Sequence, residues 1–167
     1  MTTSSEKPRL SLVVATFLGS GLSPVAPGTV GSLAALPLAY GLLYFPMWLG
    51  FFAVIVLFLV GVWASNAIES SLEQHDAGLI VIDEVVGQCL VVLLLDLCVR
   101  GAVDLSLLLL MSFGGFRLFD IVKPWPVGWV DRKVKGGLGV MLDDVVAALL
   151  AVPVVVGSYL LYALASI

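Results

Sequence analysis

The sequence predicts an all-α membrane protein, a polytopic helical bundle with about five transmembrane spans plus an N-terminal interfacial or re-entrant half-helix. Three observations lead there. Of 167 residues, 60% are hydrophobic and 12% charged, where about 25% charged is usual for a soluble domain. The mean hydropathy is +1.13, and apolar runs reach the roughly 20 residues that cross a bilayer. Finally, seventeen of the twenty charged side chains fall between Glu69 and Asp144, with none from Leu10 to Ile68 and none from Val145 onward. At this length a single domain, 1–167, is expected.

Each element follows from run length and breakers. Residues 1–9 form a polar N-terminus carrying Lys7 and Arg9. No clean cleavage signature follows, so the full chain is expected to be mature. Residues 10–18 are apolar but cover only about half a bilayer, as an interfacial or re-entrant helix would. Residues 19–28 hold two prolines and three glycines, which break the helix. Thr29 or a neighbour caps a first span running to about Tyr44, with a kink at Pro37. Pro46 marks a tight turn. A second span covers 47–67, and 69–78 is a polar linker. The third span, 79–99, carries Asp83 and Glu84 in its first turns. Arg100 and Gly101 make a short turn before a fourth span, 104–122, which Lys123-Pro124 stops. Residues 125–139 read as an amphipathic loop rich in Gly, Trp and Lys, and 140–164 as the last span. No internal repeat is visible.

Alternating these spans puts 1–29, 67–78 and 123–139 on one side. Lys7, Arg9, Arg117, Lys123, Arg132, Lys133 and Lys135 then share that side, against Arg100 opposite. The positive-inside rule makes it cytoplasmic, so a multi-pass membrane protein with its functional residues facing the cytoplasm is expected.

An ionisable residue inside a bilayer costs about 2.5–3.5 kcal/mol even on the lenient insertion scale, so charges that survive there need a reason. Asp83, Glu84, Asp120, Asp143 and Asp144 come from three helices but share their cytoplasmic ends. Five converging acids repel unless cations lie among them. Mg²⁺ fits, as a hard ion held by carboxylates, waters and substrate phosphate oxygens. Acids in a first helical turn also complement the helix dipole, which would account for Asp143 and Asp144 but not for Asp120 at a C-terminal end. Arg117 stands three residues from Asp120, on the same face, and Lys123, Arg132, Lys133 and Lys135 follow. Cations beside such a cluster suit a phosphoryl group, whose charge is neutralised in the transition state. Two Gly-rich segments, 28–32 and 135–139, open helices where backbone N–H groups can meet an anion.

Other chemistries lack their residues. Cys89 and Cys98 share one apolar run and make neither a disulfide framework nor a zinc site. No basic patch with interleaved aromatics points to nucleic acid. The single histidine, His75, lies in a polar loop beside Asp76. No phosphatase loop of the cysteine type, no P-loop lysine and no Asp-x-Asp nucleophile motif is present, leaving metal-assisted attack by water or an aspartyl nucleophile. A cation- or proton-coupled small transporter is the alternative from another class, and it predicts acids at mid-membrane depth. A scaffold whose acids and bases pair only with each other is a third.

Four blocks, in order, carry a resemblance: Gly19-Ser-Gly-Leu-Ser-Pro-Val-Ala-Pro-Gly-Thr-Val-Gly-Ser32; His75-Asp76 with Ile82-Asp83-Glu84-Val-Val-Gly87; Phe116-Arg117-Leu-Phe-Asp120-Ile-Val-Lys123-Pro124-Trp-Pro126; and Asp131-Arg132 with Gly136-Gly-Leu-Gly-Val-Met-Leu-Asp143-Asp144-Val-Val-Ala147. Together they resemble the phosphatidylglycerophosphatase A family of bacterial membrane lipid phosphatases. The resemblance implies Mg²⁺-dependent removal of the terminal phosphate of phosphatidylglycerophosphate, giving phosphatidylglycerol in phospholipid biosynthesis. Within it, Asp83, Glu84, Asp120, Asp143 and Asp144 are expected to hold Mg²⁺ or position a water. Thr29, Ser32, Arg117, Lys123 and Arg132 are expected to bind phosphate, with Asp76 and Lys135 as further members of the site.

Overall fold

The computed structural model describes residues 6–71 and 77–165. These form seven α-helices: α1 Glu6–Ala15, α2 Pro27–Leu42, α3 Met47–Ser71, α4 Ile82–Val99, α5 Leu105–Val122, α6 Val127–Lys133 and α7 Gly136–Ala165. Two short 3-10 turns, Ser20–Leu22 and Ala77–Leu79, precede α2 and α4. No strand occurs among the described residues.

Helix α4 is the axis. It packs against α2, α3, α5 and α7, and eleven of its eighteen residues are buried. A helix apolar nearly all round has no polar face to give to water, so it takes the centre. Around it, one core joins α3, α4 and α7 through Val54, Ala64, Val85, Val86, Cys89 and Met141. A second joins α4, α5 and α7 through Val91, Leu95, Phe116, Ala147, Ala148 and Ala151. The outer surface stays apolar: Leu18 and Trp125 are each 82% exposed, and Trp48, Tyr162 and Leu161 are exposed too. So much apolar surface on the outside of a folded chain belongs against lipid.

Three helices, α3, α5 and α7, are long and apolar enough to cross a membrane. Helix α2 has sixteen residues, about 24 Å, and α4 carries Asp83, Glu84 and Asp96; length and charge keep those two outside that set. Several boundaries differ from expectation, each for a local reason. Helix α1 begins at Glu6 rather than Leu10, because Pro8 is tolerated in a first turn. Its end is a tight reversal, with positive φ at Phe17, Leu18 and Gly19. Helix α2 starts on Pro27, whose fixed φ and missing N–H suit the first helical position, and it runs through Pro37 to Leu42. The fourth helix begins at Ile82, after the 3-10 turn, rather than at Leu79. Asp104 is the N-cap of α5 and not its first residue: its side chain accepts from the Leu107 N–H at 2.9 Å.

The largest correction concerns 125–139, which is not a loop. It folds as α6 and the first turn of α7. Gly136 takes a positive φ of 72°, a conformation open to glycine, and the N–H of Gly137 donates to Asn66 Oδ1 at 2.8 Å. That bond satisfies one of the orphan donors of a helix start and ties the end of α3 to the beginning of α7. A Cβ on Gly137 would lie 2.5 Å from the Val62 carbonyl oxygen and 2.8 Å from the Asn66 nitrogen, both backbone atoms of α3 that cannot yield. Gly137→Ala should therefore push α3 and α7 apart and cost about 1–3 kcal/mol, read as a lower thermal midpoint of the purified protein in detergent. An unchanged midpoint would show that these helices do not meet as described.

Candidate functional site

The elements bring their functional ends together at one end of the bundle. The starts of α2 and α4, the last two turns of α5 and the first third of α7 meet there. Asp83 and Glu84 come from α4, Arg117 and Asp120 from α5, and Asp143 and Asp144 from α7. Each of the five acids lies within electrostatic reach of at least three of the others. Asp143 and Asp144 are only 5% and 2% exposed.

Within this group, Asp83, Glu84 and Asp144 each place a carboxylate oxygen within 4.8 Å of the others. Asp120 and Asp143 have other partners. Asp120 pairs closely with Arg117, and Asp143 accepts from Lys123 at 2.6 Å. Four carboxylate oxygens, on Asp83, Glu84, Asp143 and Asp144, are buried with no hydrogen-bond partner among the described residues. Buried acceptors are normally satisfied, and clustered unpaired carboxylates are more costly still. A hard divalent cation is what such a donor set accommodates.

Arg117 joins the acids to α2. Its guanidinium lies 3.8 Å from Glu84 and reaches Ser32 Oγ and Thr29 Oγ1, each at 3.4 Å. Ser32 in turn donates to the Gly28 carbonyl at 2.9 Å. A Cβ at Gly28 would sit 3.2 Å from both Arg117 terminal nitrogens and would overlap the Glu84 carboxylate, so any side chain there would displace that pair. Helix α2 also opens on Ala26, which has no side chain able to cap it. Its positive dipole end and first N–H groups therefore face the site without a competing cap.

Lys123, just past the end of α5, bridges Asp131 and Asp143, both at 2.6 Å. Partial burial works against its charge, but the hydrogen bonds to Asp131 and Asp143 and their negative charge outweigh this and raise its pKa above the ordinary lysine value. The hydrogen bond from Lys123 holds Asp131 below the usual carboxylate range. Arg132 and Lys135 are exposed and form no ion pair with the five acids among the described residues. Asp76 and His75 lie outside the described residues.

Two members escaped sequence reasoning. Asp131 reaches Lys123 across the break between α5 and α6, so the pairing depends on that turn and not on a continuous helix. Asn66 reaches Gly137 from 71 residues away. Neither leaves a local signal.

The paired shifts fix a pH response. Asp131 titrates lower in the folded chain, so its contribution is complete above about pH 4 and is lost as pH falls through the folded value. Lys123 titrates higher, so its contribution is complete below about pH 10.4 and is lost as pH rises through its folded value. Asp131→Asn should lower the thermal midpoint slightly and evenly between about pH 5 and 9, the pair being partly exposed. The gap to wild type should close as pH drops below about 4; a gap that widens there would contradict the pairing.

The family model described as Phosphatidylglycerophosphatase A matches residues 13–159. A Phosphatidylglycerophosphatase A of Escherichia coli (strain K12) is 37% identical over 139 residues, 83% of this chain and 77% of that protein. One of Haemophilus influenzae is 40% identical over 147 residues, 86% of this chain and 85% of that protein. A third relative, from Bacteroides thetaiotaomicron, is 37% identical over 144 residues, 83% of this chain and 86% of that protein, and is provisionally named a phosphatidylinositol-3-phosphatase. No solved structure matches the chain. With the match running from α1 into α7 and taking in every element of the acid cluster, the chain belongs to the phosphatidylglycerophosphatase A family of phosphatases.

Proposed function

We propose that this protein removes the terminal phosphate of phosphatidylglycerophosphate, yielding phosphatidylglycerol and phosphate, with Mg²⁺ held by Asp83, Glu84 and Asp144. The observation that carries the proposal is the cluster of those three carboxylates with Arg117 beside it, in a chain whose relatives bear that enzyme's name. When bound, Mg²⁺ would neutralise phosphate charge and lower the pKa of a coordinated water. The chain's own residues do the rest. Arg117 presents a planar fork suited to two phosphate oxygens, and Thr29, Ser32 and the start of α2 extend the anion site. Lys123 and Asp143 stand at its edge as a paired donor and acceptor. Arg132 and Lys135 sit outward, where a lipid diester phosphate approaches. Hydrolysis takes a proton from water and gives one to the leaving glycerol oxygen; Asp120 and Asp143, paired with Arg117 and Lys123, are the carboxylates beside the cluster for that exchange.

The site faces the cytoplasm in this reading. Arg117, Lys123, Arg132, Lys133 and Lys135 share the site's end of the bundle, whereas Arg100 lies opposite, and basic residues concentrate on the cytoplasmic side. Five helices, α2, α3, α4, α5 and α7, would span the inner membrane. Helix α7 has thirty residues, about 45 Å, against a hydrocarbon core of about 30 Å. The surplus lets Asp143 and Asp144 lie at headgroup level while the rest of α7 crosses.

Asp83→Asn and Asp144→Asn should each lower phosphate release from phosphatidylglycerophosphate by at least about 100-fold, more than the loss of an outer-shell partner costs a metal site. EDTA should abolish wild-type release and added Mg²⁺ restore it. Full activity in either variant, or activity indifferent to EDTA, would overturn the proposal. A panel including phosphatidate and phosphatidylinositol 3-phosphate reads the headgroup preference directly.

A further inference from the structure

Lys123 ends α5 in the left-handed region, at a φ of 46°. Glycine or asparagine is usual at such a position, and a larger residue is strained there. The chain reverses at this point, and the lysine side chain turns to Asp143 of α7. Helix α6 closes on it from two sides. A Cβ at Gly128 would lie 2.6 Å from the Lys123 carbonyl oxygen, so α6 rests against the lysine main chain. Three residues on, on the same helix face, Asp131 accepts from the ammonium at 2.6 Å. Val127 and Val130 are buried, and Val127 joins the core that Ala147 and Ala148 of α7 line. Asp131 is therefore carried by a docked helix.

The ammonium stands between two unlike carboxylates. Asp131 is 41% exposed and Asp143 only 7%, with Lys123 between them at 34%. A lysine that exposed, on a flexible four-carbon stem, readily leaves a single partner for water. A second carboxylate on a fixed helix opposes that escape. At Asp143 the bond takes Oδ2, while Oδ1 is buried with no partner among the described residues. Because a carboxyl group is planar, holding one oxygen sets the direction of the other. Asp120 is held differently: its cation, Arg117, lies three residues away on the same helix and needs no anchor from α6.

We infer that Asp131 is a positioning residue, acting through Lys123 to fix the Asp143 carboxyl group and the direction of its unpaired oxygen. The inference rests on the proposed reaction, in which Asp143 serves the proton exchange. Asp131 itself lies outside the trio with metal-ligand spacing.

The test follows phosphate release from phosphatidylglycerophosphate by full-length protein in detergent micelles. Each kcat is divided by the number of saturable Mn²⁺ sites per chain, counted by electron paramagnetic resonance, so that misfolded protein is not scored. Asp131→Ala is expected to lower kcat per site about tenfold and leave KM unchanged, the lower end for losing a residue that orients another. Asp131→Asn keeps an acceptor for the ammonium and should recover most of that loss. Lys123→Met should cost at least as much as Asp131→Ala. The double variant should be no slower than Lys123→Met alone, because Asp131 then has nothing to act through. Losses that multiply in the double variant would give Asp131 a role apart from Lys123 and overturn the inference. So would a loss that vanishes on division by Mn²⁺ sites, the mark of a merely structural role. A rise in KM at unchanged kcat, the mark of a substrate contact, would overturn it too. Wild-type protein that releases no phosphate would refute the proposed reaction and the inference with it, whereas release with multiplying losses would refute the positioning role alone.

Discussion

Mutual repulsion among carboxylates held at one end of an apolar bundle is the constraint on which the rest of this structure depends. Asp83, Glu84, Asp120, Asp143 and Asp144 come from α4, α5 and α7, and water is largely excluded from the last two. In such surroundings like charges interact far more strongly than in solvent. Each nearby cation, glycine and helix end can be understood by what it does to that repulsion.

Two side chains offset part of it and thereby sort the acids into roles. Arg117 takes Asp120 and lies against Glu84, while Lys123 takes Asp143. The oxygens still unpartnered belong mainly to Asp83, Glu84 and Asp144, the trio with metal-ligand spacing. Close helix packing makes the trio possible. Gly87 of α4 lies against the tip of the Phe116 ring and the Asp144 carbonyl, so α4 comes close to the α7 backbone there and takes the α5 ring end-on. Removing one partner from such a network leaves a buried charge exposed to its like neighbours, which is why single substitutions are informative.

Much of this was legible in the sequence, for a physical reason. Lipid-facing helices are apolar over their whole length, so α3, α5 and α7 stand out by run length, and an acid such as Asp83 or Asp120 stands out against that background. Charge asymmetry likewise marks which ends share a side. What the sequence hid was set by contacts between distant segments. The helix over 127–133 and the early start of α7 depend on Pro126, Gly136 and the Asn66 bond to Gly137, whereas composition alone made that stretch look like a loop. The division of five acids into three with metal-ligand spacing and two paired with cations depends on which carboxylate Arg117 and Lys123 reach, and no spacing reveals that. Arg132 looked equivalent to Lys123 in sequence, yet it is exposed and pairs with none of the five acids among the described residues, while Lys123 folds back to Asp143.

The central claim is that the acid cluster is built around a divalent cation. Mn²⁺ can replace Mg²⁺ as a paramagnetic probe, so electron paramagnetic resonance of the purified protein titrated with Mn²⁺ addresses it without any assay of turnover. The account predicts saturable Mn²⁺ binding that Mg²⁺ competes away, lost in Asp83→Asn and Asp144→Asn and retained in the surface variant Lys133→Ala. No saturable binding to the wild-type protein, or equal binding by the two aspartate variants, would contradict it.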